Sequence, residues 1–294
     1  MMGEVMLSKG SIFIVLAAFF WGVSGGIAGV LLDDGWDASV VTFYRGAVGL
    51  LFAILWLLLQ RKHSGLRNKQ LWFWSVIAGL GVAGNFTFYF ISIDHGNVAV
   101  AATLMYCAPI FVYLISFALK LERSTVGKWV AIALVMLGIT MLTKLYEIGT
   151  SELSLFGVGA GLLAGLSYAI FIFGFKYAAP HGSPQAILSI AFAVLTIVLL
   201  VPTDINQTIS VLSTPDVPLF LALGIFGAGL SFLLYILGIN HTSAALASMI
   251  AMVEPITATL FGVVILSEQL GVVQMAGMAL ILATVTKLSV SSSK

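Results

Sequence analysis

Apolar residues form long runs along this chain, and short polar segments separate the runs. The runs have about 20 residues, the length of a helix that crosses the hydrocarbon core of a bilayer. Such a crossing segment is helical because its backbone must bond to itself. The sequence predicts ten spans, near residues 11–32, 38–60, 71–93, 97–119, 126–145, 154–178, 184–202, 216–238, 243–266 and 271–288. We therefore predict an all-α integral membrane protein with an uncleaved first helix and no soluble domain.

The chain also aligns with itself. Residues 81–134 align with residues 227–280 without gaps, a shift of 227 − 81 = 146 positions. The identical pairs include Gly81/Gly227, Phe86/Phe232, Tyr89/Tyr235, Ile93/Ile239, His95/His241, Ala99/Ala245, Ala101/Ala247, Pro109/Pro255 and Glu122/Glu268. Shared hydrophobicity alone would not align His, Pro and Glu together, so we infer a duplication into residues 1–146 and 147–294.

Each copy has five helices. Because five is an odd number of crossings, the second copy enters the bilayer from the opposite side and the two copies have opposite orientations. Inverted repeats of this kind are typical of secondary transporters, in which the substrate site lies near mid-membrane at the repeat interface. The alternative is that duplication only builds a large helical bundle. The sequence thus predicts ten transmembrane helices arranged as two inverted five-helix repeats.

Composition and charge agree with a membrane location. The chain is 60% hydrophobic and 9% charged, with a mean hydropathy of +1.11, whereas a soluble domain carries roughly 25% charged residues. Its net charge is +1 and it has no basic block, which excludes nucleic acid as a partner. The partners that we predict are the lipid bilayer and a small-molecule substrate.

Basic residues predict the orientation of the spans. If the N-terminus lies inside, eleven basic residues fall in cytoplasmic segments and only Lys144 falls outside. The eleven are Lys9, Arg61, Lys62, Arg67, Lys69, Lys120, Arg123, Lys128, Lys176, Lys287 and Lys294. Under the positive-inside rule both termini are cytoplasmic, and we predict a multi-pass protein of the cell inner membrane.

Polar side chains on spans 3 and 8 are candidates for a binding site, because polar groups within spans are costly and usually face the bundle interior. Asn85 and Tyr89 lie at i and i+4, on one side of span 3. Their counterparts on span 8 are Ser231 and Tyr235. Two interpretations are open: the four residues bond neighbouring helices together, or they line opposite walls of a cavity.

Aromatic residues supply further candidates. Trp21 lies near the middle of span 1, away from the membrane interface, and Tyr168 holds the corresponding place in span 6. An aromatic ring with a polar edge suits a partly apolar solute, although packing in the helix bundle explains both residues equally well. Tyr106 on span 4 is a candidate of the same kind.

Two charges lie within predicted spans. Arg45 on span 2 could bind a substrate carboxylate, pair with an acid or a helix terminus, or extend toward the headgroups. Glu254 on span 9 has no charged counterpart, since the aligned residue is Ala108. It could carry a proton, bind a substrate amine, or serve the structure together with Pro255.

Pro109 and Pro255 are predicted to break spans 4 and 9, as hinges or as static kinks.

Four segments of the chain resemble the EamA family of the drug/metabolite transporter superfamily. They are LAAFFWG with Trp21, APIFVYLISFALKLE ending at Glu122, EPITATLFGVVILSE from Glu254 to Glu268, and GLLAGLSYAIFIFGFK with Tyr168. The resemblance covers essentially the whole chain. It implies a central cavity surrounded by the first four helices of each repeat, with the fifth helices as a buttress. Among the members, the chain looks most like bacterial amino-acid exporters of the YddG kind.

Motifs of catalysis are absent from the sequence. It has no G-x-x-x-x-G-K-[ST], H-E-x-x-H or G-x-S-x-G, and its one cysteine, Cys107, lies in an apolar run. We predict no catalytic residues, no metal and no cofactor.

The leading hypothesis is a secondary transporter that exports amino acids by alternating access. An intramembrane enzyme acting on lipids, a channel, and a transporter of other metabolites or drugs are the alternatives. The solute, the direction, ion coupling and the oligomeric state stay open.

Overall fold

The computed structural model describes residues 8–60, 64–149 and 154–291, and the regular structure of this part is entirely helical. The α-helices of the described residues are α1 (Lys9–Asp33), α2 (Ala38–Leu59), α3 (Lys69–Asp94), α4 (Val98–Met105), α5 (Ala108–Ala118), α6 (Val126–Leu142), α7 (Leu155–Ala178), α8 (Pro184–Leu200), α9 (Ile205–Val211), α10 (Val217–Gly224), α11 (Ser231–Asn240), α12 (Ala244–Ile250), α13 (Val253–Ile265) and α14 (Val272–Ser291). A π-helix over Ile225–Leu230 joins α10 to α11. Arg61, Lys62 and Lys294, which contributed to the predicted orientation, lie outside the described residues.

Eight helical segments in the described ranges are long and apolar enough to cross a membrane. They are Lys9–Asp33, Ala38–Leu59, Lys69–Asp94, Val98–Ala118, Leu155–His181, Val217–Asn240, Ala244–Ile265 and Val272–Val290. The other two predicted spans correspond to α6 and α8, which are apolar but have 17 residues each. Each is about 25 Å long at the helical rise. The predicted spans ran further because apolar residues follow both helices: Leu145 after α6 lies in a short 3-10 helix, and Val201 after α8 lies in a turn.

Polar residues at the breaks fix where the helices begin. Each of them accepts a hydrogen bond from a backbone N–H of the first turn, a group that has no partner within the helix. These N-cap residues are Ser8, Asn68, Asn97, Thr125, Ser154, Ser183, Asp204 and Ser243. The short polar segments seen in the sequence therefore set the starts of these eight helices.

Two of the spanning segments are interrupted near their prolines. Residues 106–107 separate α4 from α5, and residues 251–252 separate α12 from α13. Pro109 lies in the first turn of α5 and Pro255 in the first turn of α13. The missing N–H of proline costs least in a first turn. Both interruptions thus lie beside the prolines, as the sequence predicts. A hinge role for the two prolines stays a prediction.

The principal contacts between the two halves come in matching sets. Helix α3 packs on α7 as α11 packs on α1, and α4 and α5 pack on α7 as α12 and α13 pack on α1. Likewise α3 packs on α8 as α2 packs on α10, while α2 pairs with α8 and α6 pairs with α14. Two copies of one unit, related by a twofold pseudo-axis, would give this pattern.

Contacts between the connections define two ends of the bundle. At the first face, Trp36 Nε1 donates to the carboxylate of Asp216 (2.9 Å). At the second face, the backbone N–H of Ser183 donates to the carbonyl of Ser64 (3.1 Å). The first face carries residues 34–37, 95–97, 143–149, 201–216 and 266–271, and the second face carries residues 64–68, 119–125, 179–183 and 241–243. Successive connections therefore alternate between the faces.

Gly22 allows α1 to approach α13 closely. A Cβ at Gly22 would overlap the backbone of Glu254 and Ala258. We expect Gly22→Val to lower the melting temperature of the detergent-solubilised protein, since overpacking costs ~1–3 kcal/mol. The matched control is Gly29→Val on the same helix, where no atom lies within 4 Å of the added Cβ. Equal melting temperatures for the two variants would contradict this account of the crossing.

Candidate functional site

A cavity of about 470 Å³ lies between α1, α2, α3, α4 and α13. It opens toward the first face, because Leu32 and Ala38 line its mouth on one side and Ile93 and Val98 line it on the other. Its volume is in the range of pockets that bind small organic molecules. Toward the middle of the bundle it narrows to a smaller space lined mainly by aromatic side chains.

Most of the substrate-binding residues predicted from the sequence meet in this cavity. Seven of the nine line the cavity or its narrow inner end: Trp21, Arg45, Asn85, Tyr89, Tyr106, Tyr168 and Glu254. They come from both halves of the chain. The other two, Ser231 and Tyr235, are fully buried and do not line it.

Arg45 is held inside the bundle by the π-helix. Its Nε and Nη2 both donate to the carbonyl oxygen of Gly227, at 3.2 and 3.0 Å. The guanidinium carbon lies 4.8 Å from the ring centroid of Phe86, a cation–π contact. These contacts direct the side chain inward, away from the headgroups. Of the interpretations left open by the sequence, a structural partner and a carboxylate-binding group both fit this geometry.

Glu254 approaches the same cavity from the opposite half of the chain. It lies in the first turn of α13, and the hydroxyl of Tyr168 donates to its Oε2 at 3.2 Å. Within the described residues, Glu254 and Arg45 form no direct ion pair. A basic and an acidic side chain therefore face one volume without direct contact between them.

Asn85 serves both of the roles that its sequence left open. Its Nδ2 donates to the carbonyl of Ala164 at 3.0 Å, which ties α3 to α7, and its side chain also lines the cavity. One turn earlier, Gly81 lies against the backbone of Phe171, a packing role. Tyr89, one turn later, lines the cavity. One side of α3 thus changes from packing to cavity lining along its length.

The inner end of the cavity is closed by a cluster of aromatic rings. The ring centroid of Trp21 lies 4.9 Å from that of Phe232, 5.0 Å from Tyr235, 6.2 Å from Phe171 and 6.4 Å from Tyr168. The cluster separates the cavity from the second face. Trp21 therefore packs in the core and forms the floor of the cavity, and its contact with a solute stays a prediction.

Phe171 and Phe232 are site residues that sequence reasoning missed. Both line the narrow inner end of the cavity. A signal for Phe232 was present, because it aligns with Phe86 in the repeat, and Phe86 lies under the Arg45 guanidinium. Phe171 had no comparable signal, since one phenylalanine in an apolar helix is indistinguishable from a lipid-facing residue.

Several buried polar atoms near this floor have no hydrogen-bond partner within the described part of the chain. They include Nε1 of Trp21, Oγ of Ser231 and Oη of Tyr235. Ser231 and Tyr235 lie behind Trp21, in the closed half of the bundle. Asn85 and Tyr89, their counterparts on α3, lie in the open half. The repeat is therefore symmetric in sequence but not in exposure to the cavity.

Metal-binding side chains do not cluster in the structure as described. Those ranges contain no group of three or more His, Cys, Asp or Glu side chains that could hold a metal ion. The thiol of Cys107 lies 3.4 Å from the carbonyl of Thr103, one turn earlier on the same segment.

Comparison with known families gives a match along almost all of the chain. The sequence model of the EamA-like transporter family matches twice, at residues 8–144 and at residues 155–290. One match lies in each of the halves that the internal repeat defines.

Individual relatives cover almost the whole length as well. The chain is 25% identical over 288 residues to the uncharacterized transporter YwfM of Bacillus subtilis, covering 97% of this chain and 95% of the relative. It is 29% identical over 280 residues to an uncharacterized transporter of Archaeoglobus fulgidus, covering 94% of each chain. A solved crystal structure with 18% sequence identity superposes with a TM-score of 0.76, covering 98% of this chain and 100% of the other, which shows a shared fold.

Proposed function

The chain belongs to the EamA-like transporter family and is a multi-pass membrane transporter rather than an enzyme. From this premise we propose that it exports amino acids or similar small zwitterions by alternating access. The observation that carries the proposal is the arrangement of Arg45 and Glu254. They face one cavity with opposite charges and without an ion pair between them. This part of the proposal follows the resemblance to amino-acid exporters of the YddG kind.

The topology that we propose has ten spans in two inverted repeats, residues 1–146 and 147–294. The matching contacts between the halves and the alternation of the connections support it. The shorter helices α6 and α8 then complete the ten, and they would cross where the bilayer thins or the flanking residues extend. The second face carries most of the described basic residues, so we propose that it is the cytoplasmic face, with both termini on that side of the cell inner membrane.

The two charges suit the two ends of an amino acid. The guanidinium of Arg45 engages Gly227 with two of its donors, and a guanidinium carries five in total. A carboxylate fits a planar guanidinium better than it fits an ammonium, because the guanidinium can donate two parallel hydrogen bonds. The carboxylate of Glu254 would take the ammonium group, while Tyr168 fixes its orientation.

Aromatic residues would receive the side chain of the solute. Trp21, Tyr89 and Tyr106 line the cavity together with Phe86, and such rings offer apolar area with polar edges. During transport the cavity would close toward the first face and open toward the second. Pro109 and Pro255 are our proposed hinges for this motion, since each begins the second half of an interrupted span.

Counterflow in liposomes tests the proposed function. Purified protein is reconstituted with an unlabelled amino acid inside, and uptake of the same radiolabelled amino acid is followed across a panel of amino acids. We expect saturable uptake for some members of the panel. We also expect the methyl esters and the N-acetyl derivatives of those members to compete poorly, because each lacks one of the two charges.

Two outcomes would count against the proposal. A high unitary conductance in planar bilayers would indicate a channel. Equal competition by the ester and the parent amino acid would show that Arg45 does not bind a carboxylate. Protein-free liposomes provide the baseline for leakage.

A further inference from the structure

Lys176 joins two helices at the closed end of the bundle. It lies in the last turn of α7, and its Nζ donates to the carbonyls of Ile239 and Thr242, both at 2.8 Å. These carbonyls lie at and just beyond the C-terminal end of α11. The last carbonyls of a helix lack partners within it, and a cation at this end interacts favourably with the helix dipole. The contact therefore fastens α7 to α11 at the second face.

Among the described residues, the equivalent place at the first face has no such contact. Ala17/Ala164 and Trp21/Tyr168 relate span 1 to span 6 by a shift of 164 − 17 = 147. This shift matches Lys176 with Gly29, which has no side chain and lines the open cavity. Ile239, one of the acceptors, matches Ile93 at the mouth of the cavity. Helices α7 and α11 are thus joined at the second face, whereas the equivalent helices α1 and α3 are separated by the cavity at the first face.

The joined helices belong to the two groups that meet around the cavity. Helix α7 packs with α3 and α4, whereas α11 packs with α1. Between these groups, Trp21 of α1 meets Phe171 of α7, and Phe175 of α7 meets Phe232 of α11. Aromatic contacts thus close the middle of the bundle between the cavity and the second face, and Lys176 adds a polar contact at the second face.

We propose that Lys176 is a latch that keeps the second face shut while the cavity is open to the first face. The proposal rests on the alternating access described above. To open the second face, α7 and α11 must separate, and both hydrogen bonds of Lys176 must break. Beside the latch lies a second cavity, of about 490 Å³, lined by Lys176, Asn240, His241 and Thr242. Water in this cavity can solvate the ammonium and the carbonyls when they part, so that the latch is reversible.

Thiol accessibility tests the latch without any substrate. In a Cys107→Ser background, which removes the one cysteine, single cysteines are introduced by Ser231→Cys or by Ala258→Cys. Ser231 is fully buried in the closed half, and Ala258 lines the open cavity. A cationic, membrane-impermeant methanethiosulfonate is applied to membrane vesicles of each orientation, and the rate of modification is measured.

We expect Lys176→Met to favour the state that is open to the second face. The thiol at position 231 should react from that face about tenfold faster, whereas the thiol at position 258 should react from the first face more slowly only in proportion to the population that leaves that state. Loss of one hydrogen bond to a charged group is enough for a tenfold change in an equilibrium constant. Lys176→Arg keeps the cation and its donors, so its rates should stay close to those of the parent.

Lys69→Met is the matched control, because Lys69 is an exposed lysine at the same face. Unchanged rates at both thiols in Lys176→Met would overturn the latch. If that variant does not purify as a folded protein, Lys176→Ala, which also removes both donated hydrogen bonds, serves instead, and parental rates in it would overturn the proposal equally. Failure of amino-acid counterflow would remove the proposed solute but not the latch, because the labelling rates do not depend on a solute.

Discussion

Arg45→Ala is expected to lower amino-acid counterflow by about a hundredfold or more. Removing one partner of a buried, hydrogen-bonded charge interaction costs ~2–5 kcal/mol. Alanine removes the proposed carboxylate-binding group and leaves the carbonyl of Gly227 without its two donors. It also leaves Glu254 as an anion in a cavity without a cation. Initial rates of counterflow over a range of solute concentrations would measure the effect.

Arg45→Lys separates charge from geometry. Lysine keeps the positive charge, but it cannot offer the planar pair of donors that Gly227 and a carboxylate would share. We expect a loss of about tenfold, mainly as a rise in the half-saturating concentration, because a single hydrogen bond to a charged group is worth about that factor.

Arg67→Ala is the control for Arg45, since Arg67 is an exposed arginine at the second face. It should transport at the parental rate. Size-exclusion profiles of the Arg45 variants must show a folded protein. Near-parental counterflow by a folded Arg45→Ala would refute a role for this residue in substrate binding.

Much of the fold follows from local features of the sequence. The long apolar runs predict the helices, and residues such as Asn97 and Ser243 mark their starts because a polar side chain can cap the exposed N–H groups. The interruptions beside Pro109 and Pro255 follow from the chemistry of proline. The lengths of α6 and α8 were overestimated, since hydropathy does not distinguish the last helical turn from an apolar turn after it.

The π-helix over Ile225–Leu230 could not be predicted. The aligned residues of the first repeat lie in the regular helix α3, so neither the repeat nor hydropathy distinguishes the two. A π-helix is rare and frequently occurs at functional sites. Here the carbonyl of Gly227 accepts two hydrogen bonds from Arg45. This contact joins residues 182 positions apart in the chain, and no local pattern reveals it.

The candidate site was predictable in composition but not in shape. Asn85 and Tyr89 line the cavity, whereas their repeat counterparts Ser231 and Tyr235 lie in the closed half. An alignment treats the two sets as equivalent. The alternating access that we propose requires this equivalence to be broken, because the cavity is then open to one face at a time.

Glu254→Gln is expected to remove the pH dependence of transport. Glu254 is the one acidic residue among the described residues that line the cavity. Its carboxylate form would bind the ammonium of the solute, and protonation would abolish that attraction. In the parent protein the half-saturating concentration should therefore rise as the pH falls. Glutamine keeps the shape and can still accept from Tyr168, but it exchanges no proton. Its half-saturating concentration should be high and constant across the pH range.

Three companion variants make this result specific to Glu254. Glu254→Asp should restore a pH-dependent profile, because the carboxylate returns. Tyr168→Phe removes the hydroxyl that donates to Oε2 and should shift the profile without flattening it. Glu268→Gln, at an exposed acid of the first face, should keep the parental profile. If Glu254→Gln shows the parental pH profile, Glu254 neither carries a proton during transport nor binds the ammonium, and its contact with Tyr168 serves the structure alone.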